Sequence, residues 1–229
     1  MYKQVTLINS QVHNKASIKQ EHTFDYAKKL MSAPITAREF YECCKTYPIV
    51  FSKDHQGAWT ASVLLGYKED ENLFVDQNGG WENRSYIPAS IRRYPFIFIA
   101  HDDQEFFLGV DESSLLWDDQ SNRLFDDDNN PTQLTQNILA FMNDFQRDAL
   151  ETTNFIEKLE SLGFLEAQTA RVMTPDQTVH HIDGFFVVNE DRLRSYVQDA
   201  PITSENLSMI QLITAHLISL SNLHYLGSR

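Results

Sequence analysis

His181-Ile182-Asp183 sets an imidazole and a carboxylate two residues apart, which on a strand puts both on one side. A later histidine, His216 or His224, would complete the two-histidine, one-carboxylate triad of non-haem Fe(II) oxygenases. That defines one enzymatic reading, with His181, Asp183 and His224 as ligands. Against it, H-x-D triplets are common by chance and the later histidines fall in a helical segment, so local hydrogen bonding is the plainer account. Asp126-Asp127-Asp128-Asn129-Asn130 offers hard oxygen ligands but lacks the alternating carboxylates, central glycine and closing glutamate of a calcium loop. A turn rich in Asp and Asn explains it better. The adjacent Cys43 and Cys44 cannot build a disulfide framework with each other and read as reduced. No G-x-S-x-G, Walker A or G-x-G-x-x-G pattern occurs, and Asn78-Gly79-Gly80-Trp81 lacks the helix start that a phosphate cradle needs. We therefore expect no catalytic residues and no cofactor.

The remaining chemistry lies in Trp59, Trp81, Tyr86, Arg92, Arg93 and Tyr94. Guanidinium groups grip carboxylates in bidentate fashion, and aromatic rings pack on flat or apolar ligand bodies. Tyr86-Ile87-Pro88 and Tyr94-Pro95 bracket the arginines with residues that restrict the backbone, so the site would be presented stiffly. The competing account is that the tryptophans plug the core while the arginines answer nearby acids.

These residues must be held by elements of two kinds. Short apolar runs separated by turn chemistry predict strands at Ile49–Ser52, Thr60–Tyr67 and Asn72–Asp76, with a turn over 68–71. A second hairpin should join Phe96–Ala100 to Glu105–Val110 through 101–104, and Pro88 should open one helical turn carrying Ile91, Arg92 and Arg93. A Thr36-to-Glu39 capping box predicts a short helix bearing the cysteines. Asn130-Pro131 predicts the start of a long amphipathic helix, with Leu134, Ile138, Phe141, Phe145, Thr152, Ile156 and Leu159 at helical spacing, ending at Gly163 and either continuous or broken near Leu150. A further strand is expected at Gly184–Val188 and a last helix from Ser204. Strands early and long helices late give an α+β fold: an antiparallel or mixed sheet from the N-terminal half, packed by helices of the C-terminal half.

The 229 residues contain no linker or low-complexity stretch, so a single domain over 1–229 is expected. Net charge is −13, and from His101 to Pro131 ten acidic residues face one Arg123, which disfavours nucleic acid and anionic membranes as partners. The N-terminus has no signal-peptide core and no apolar run reaches membrane-spanning length, so a cytoplasmic protein without an integral membrane segment is expected.

Several stretches also resemble one family. Tyr47-Pro48-Ile49-Val50-Phe51, Trp59, Leu64-Leu65-Gly66-Tyr67, Asn72-Leu73-Phe74-Val75-Asp76, Trp81, Tyr86-Ile87-Pro88-Ala89 and Arg92-Arg93-Tyr94-Pro95-Phe96 are similar to the SapC family of bacterial proteins. Ser161-Leu162-Gly163-Phe164-Leu165, the run Asp183 to Glu190, and Ser219-Leu220-Ser221-Asn222-Leu223 extend the resemblance over nearly the whole chain. The family carries no activity to transfer; its name implies an envelope or surface-layer association, and it is distinct from the similarly named peptide-transport permease. The residues thus favour a non-catalytic binding or accessory protein for a peptide, a protein segment or a small carboxylate. The oxygenase and an envelope-associated structural protein are the alternatives.

Overall fold

The computed structural model describes residues 1–19, 23–54, 56–100, 106–199 and 203–228. In chain order the elements are β1 (Val5–Leu7), β2 (Ala16–Ile18), β3 (Ser32–Ile35), α1 (Phe40–Cys43), β4 (Ile49–Lys53), β5 (Trp59–Leu64), α2 (Ala89–Arg92), β6 (Phe96–Ala100), β7 (Phe106–Asp111) and β8 (Leu115–Trp117). They continue as α3 (Gln133–Ser161), β9 (Leu165–Met173), β10 (Val179–Val188), α4 (Glu190–Asp199), α5 (Ser204–Ser219) and α6 (Leu223–Leu226). Among the described residues the strands form three antiparallel sheets, ordered β3-β5-β4-β10-β9, β1-β7-β6 and β2-β8. The α+β expectation holds, with two refinements. The strands between Ile49 and Val110 divide between two sheets, and β10 returns from the C-terminal half to pair Phe186 with Phe51 of β4.

Three of the hairpin and turn connections share one local design. At Asp54, Asp76 and Asp126 the carboxylate accepts the amides two and four residues on, at 2.8–2.9 Å, and the residue three on takes a positive φ: Gly57 +85°, Gly79 +81°, Asn129 +62°. Gly and Asn tolerate that region where other residues are strained. The design corrects two expectations. Asn72–Asp76 is not a strand, because the Asn72 side chain captures the Phe74 amide at 2.9 Å and Asp76 opens a turn, leaving only a Val75–Trp81 bridge. Asn130 does not cap the long helix and Pro131 is not its first residue, because Asn130 closes the Asp126 turn and Pro131 bridges to Phe125; Thr132 caps instead, its side chain accepting from the Thr135 amide.

Helix α3 runs unbroken through Leu150, which is exposed, and stops at Gly163, whose φ of +69° fits the C-terminal role expected of it. Its length lets it serve two apolar clusters. Met142 packs with Phe96, Leu108, Val110 and Leu124, whereas Ile156 and Leu159 join Phe40, Phe51, Ile49 and Ile213. Phe141 and Phe145, expected on the core face, are only half-buried and lie at the edge, under arginine side chains. Residues 101–104 and Glu105 of the β6–β7 hairpin lie outside the described residues.

Candidate functional site

The segment 23–26 is pinned first. The Phe24 amide bonds to Gly79 O at 2.7 Å, and a side chain at Gly79 would collide with Thr23 Cβ at 2.6 Å. Gly79 is thus required both by its φ and by this close approach, and the 76–80 loop becomes the platform that presents Phe24 and Tyr26. From there a file of rings crosses the surface. Tyr2 meets Tyr94 at 5.5 Å, Tyr94 stacks on Tyr26 at 4.1 Å, Tyr26 meets Phe24 at 6.0 Å, and Phe24 packs edge-on against Trp81 at 5.5 Å. Trp81 Nε1 donates to Tyr47 Oη (3.1 Å), which donates to Tyr86 O (2.6 Å), so the file ends on the residue that holds Arg92.

Arg92 is exposed at the end of α2, yet its side chain is fixed. Nε donates to Ile87 O and Nη2 to Tyr86 Oη, both at 2.9 Å, and the guanidinium lies over the rings of Tyr86 and Phe141. Among the described residues it has no carboxylate partner; Asp144 and Asp148 nearby are taken by Arg147 and Arg38. Arg92 lines a cleft of about 480 Å³ whose other walls include Phe24, Tyr26, Ile87, Tyr94 and Leu134, and also a smaller recess of about 260 Å³ with Glu39, Phe141 and Phe145.

The structure therefore puts Arg92 with Tyr94 on the larger cleft and with Tyr86 on the smaller recess, ties Trp81 to Tyr86 only through Tyr47, and separates the other two. Arg93 diverges from Arg92 to sit over Phe145 at 5.0 Å, half-buried, so the pair makes no joint fork. Trp59 is 4% exposed and belongs to β5, where its Nε1 donates to Glu160 at 2.7 Å and its ring meets Phe186. Sequence reasoning missed Phe24, Tyr26 and Glu39. The first two carry no motif, and Glu39 was recognised only as a capping residue.

Glu39 is 5% exposed and accepts four hydrogen bonds. Oε2 receives the Thr36 amide (2.8 Å) and hydroxyl (3.1 Å), completing the expected capping box; Oε1 receives the Ala89 amide (2.7 Å) and the Tyr86 hydroxyl (3.1 Å). Burial, and then the charge of Glu39, push the Tyr86 hydroxyl up to about 12, so it stays protonated.

The metal reading finds no assembled set. His181 and Asp183 are exposed on β10 beside a bulge, and His224 is exposed on α6. His216 is fully buried, its ring tilted against Phe51 at 4.7 Å, with Nε2 accepting the Val188 amide at 3.1 Å. Among the described residues no three His, Cys, Asp or Glu side chains converge as metal ligands. Asp126 spends its carboxylate on its own turn, where the Asn130 amide holds it below the usual carboxylate range. Burial pushes the Cys43 and Cys44 thiols up, away from the thiolate a nucleophile needs.

Fold and site together define a class: an α+β protein with antiparallel sheets, one long helix serving two apolar clusters, and an arginine set in an aromatic cleft. A scan against family models matches residues 8–226 to SapC, and the chain belongs to the SapC family. Comparison with curated proteins and with solved structures returned no match. No helix of the described residues is long and apolar enough to cross a membrane.

Proposed function

We propose that the chain is a non-catalytic binding protein that captures a ligand joining a carboxylate to a flat or apolar body. The observation that carries this reading is the state of Arg92. Its Nε and Nη2 donors on one edge are consumed by Ile87 O and Tyr86 Oη. In a guanidinium this leaves the opposite edge, one N–H each from Nη1 and Nη2, as a parallel fork matched to a carboxylate. The aromatic walls of the larger cleft supply the packing surface for the ligand body. Because the donor is already ordered, little side-chain entropy is lost on capture.

The test is calorimetric titration with N-acetyl-L-phenylalanine and with its amide, which differ only at the carboxylate. The acid should bind at least about tenfold more tightly, and Arg92→Ala should erase the difference. A hexapeptide ending in phenylalanine, as free acid and as C-terminal amide, then distinguishes a peptide C-terminus from a small acid as the source. Equal binding of acid and amide, or undiminished acid binding by Arg92→Ala, would overturn the reading.

A further inference from the structure

Glu39 is a buried carboxylate with no cation bonded to it among the described residues, and that placement is expensive unless its hydrogen bonds accomplish something. Two of its four donors, from Thr36, belong to the helix cap. A cap at a solvent-exposed helix start needs no burial and no further donors. The other two come from the 86–89 segment on the opposite side of the group, the Ala89 amide that begins α2 and the Tyr86 hydroxyl. Glu39 therefore joins the start of α1 to the segment that carries Arg92.

The direction of these bonds has a consequence for Arg92. A phenol has one proton, and Tyr86 gives it to Glu39 Oε1. Its oxygen is then left as an acceptor only, and the donor it accepts is Arg92 Nη2 at 2.9 Å. Were the Tyr86 proton turned toward Arg92 instead, Nη2 would meet a donor rather than a lone pair, and Arg92 would lose one of its two anchors. With the proton committed, the order Glu39, Tyr86, Arg92 can run only one way. The Ala89 amide fixes the same segment from behind, holding α2 at the distance this chain of bonds requires.

We infer that Glu39 is a positioning residue for carboxylate capture, orienting the Arg92 fork through the Tyr86 hydroxyl; this rests on the Arg92 reading given above. It adds a specificity consequence. Tyr86 offers the ligand no donor, so recognition at this point falls to the guanidinium alone, and the site selects an anionic acceptor over a neutral amide or alcohol.

The test uses the full chain, the same acid and amide probes, and a second readout that needs no ligand. In wild type the Arg92 Nε–Hε resonance should be resolved and slow to exchange with water, because Ile87 O holds it and Tyr86 holds the neighbouring nitrogen. Tyr86→Phe, which deletes only the hydroxyl, should broaden or accelerate that resonance and cut the acid-over-amide preference from about tenfold to below about threefold. Glu39→Gln should do the same to a lesser degree. If Glu39→Gln fails to fold, the Tyr86→Phe resonance and selectivity decide the matter. The inference falls if Tyr86→Phe leaves both unchanged while Arg92→Ala abolishes the preference. If Arg92→Ala leaves the preference intact, the binding reading itself fails and takes this inference with it.

Discussion

Asp111→Ala is expected to lower unfolding stability by about 3–5 kcal/mol. Asp111 is completely buried and, among the described residues, pairs with no cation; its carboxylate is held by neutral donors. Oδ1 accepts from the Ser113 hydroxyl (2.8 Å), the Ser113 amide (3.1 Å) and the Gln4 amide (3.2 Å), while Oδ2 accepts from the Lys3 amide (2.7 Å) and the Tyr94 hydroxyl (3.3 Å). Burial pushes this carboxyl upward, but the amides of Lys3, Ser113 and Gln4 and the Ser113 hydroxyl outweigh it and hold it below the usual range. Alanine leaves several partly buried donors without acceptors, and each orphan costs about 1–3 kcal/mol. The loss also frees the segment that leads into β1 and the Tyr94 ring at the rim of the cleft. Asparagine should recover only part of the loss, because its amide nitrogen would face donors. Chemical denaturation measures this, and a loss below about 1 kcal/mol would show that water reaches the site.

His216→Gln should flatten the acid limb of the stability curve. Burial pushes the imidazole down from 6.5 to about 4, against a weak opposing effect of the Ile49 backbone. Between those values the unfolded chain binds a proton that the folded chain refuses, so stability rises with pH across the window. The contribution is complete above about 6.5 and is lost as pH falls to about 4. At 1.36 kcal/mol per unit, this amounts to roughly 3 kcal/mol. Glutamine keeps an acceptor for the Val188 amide and does not titrate. The difference between wild type and His216→Gln, measured from pH 7 to pH 4, should therefore change by roughly 3 kcal/mol. Parallel curves would mean that the buried imidazole takes up its proton without opening the core.

What could be read in the chain beforehand follows from how local each signal is. The Thr36/Glu39 box, Pro88 before α2 and Gly163 after α3 are cues within a few residues, and each falls where expected. Strand β9 gave no signal because it is an edge strand with only Ala170 and Val172 buried, so its pattern is mostly polar. Helix α4 is rich in charge and carries no buried apolar stripe to announce it. Asn72 shows the opposite failure, an apolar run whose first side chain diverts its own backbone. The site was half legible for the same reason. Arg92 and Tyr86 are six residues apart and within one stiff segment, whereas Glu39, Phe24 and Tyr26 reach them only through the tertiary fold.

Nuclear magnetic resonance mapping with N-acetyl-L-phenylalanine tests most directly whether Arg92 and the adjoining aromatic cleft bind a carboxylate ligand. Saturable shifts are expected at the Arg92 guanidinium, Ile87, Phe24, Tyr26 and Tyr94, with the amide probe producing weaker shifts at Arg92. The apolar groove of Leu193, Val197 and Leu217 on α4 and α5 should stay silent. Saturable shifts centred on that groove, or none around Arg92 at any acid concentration that the protein tolerates, would contradict the account.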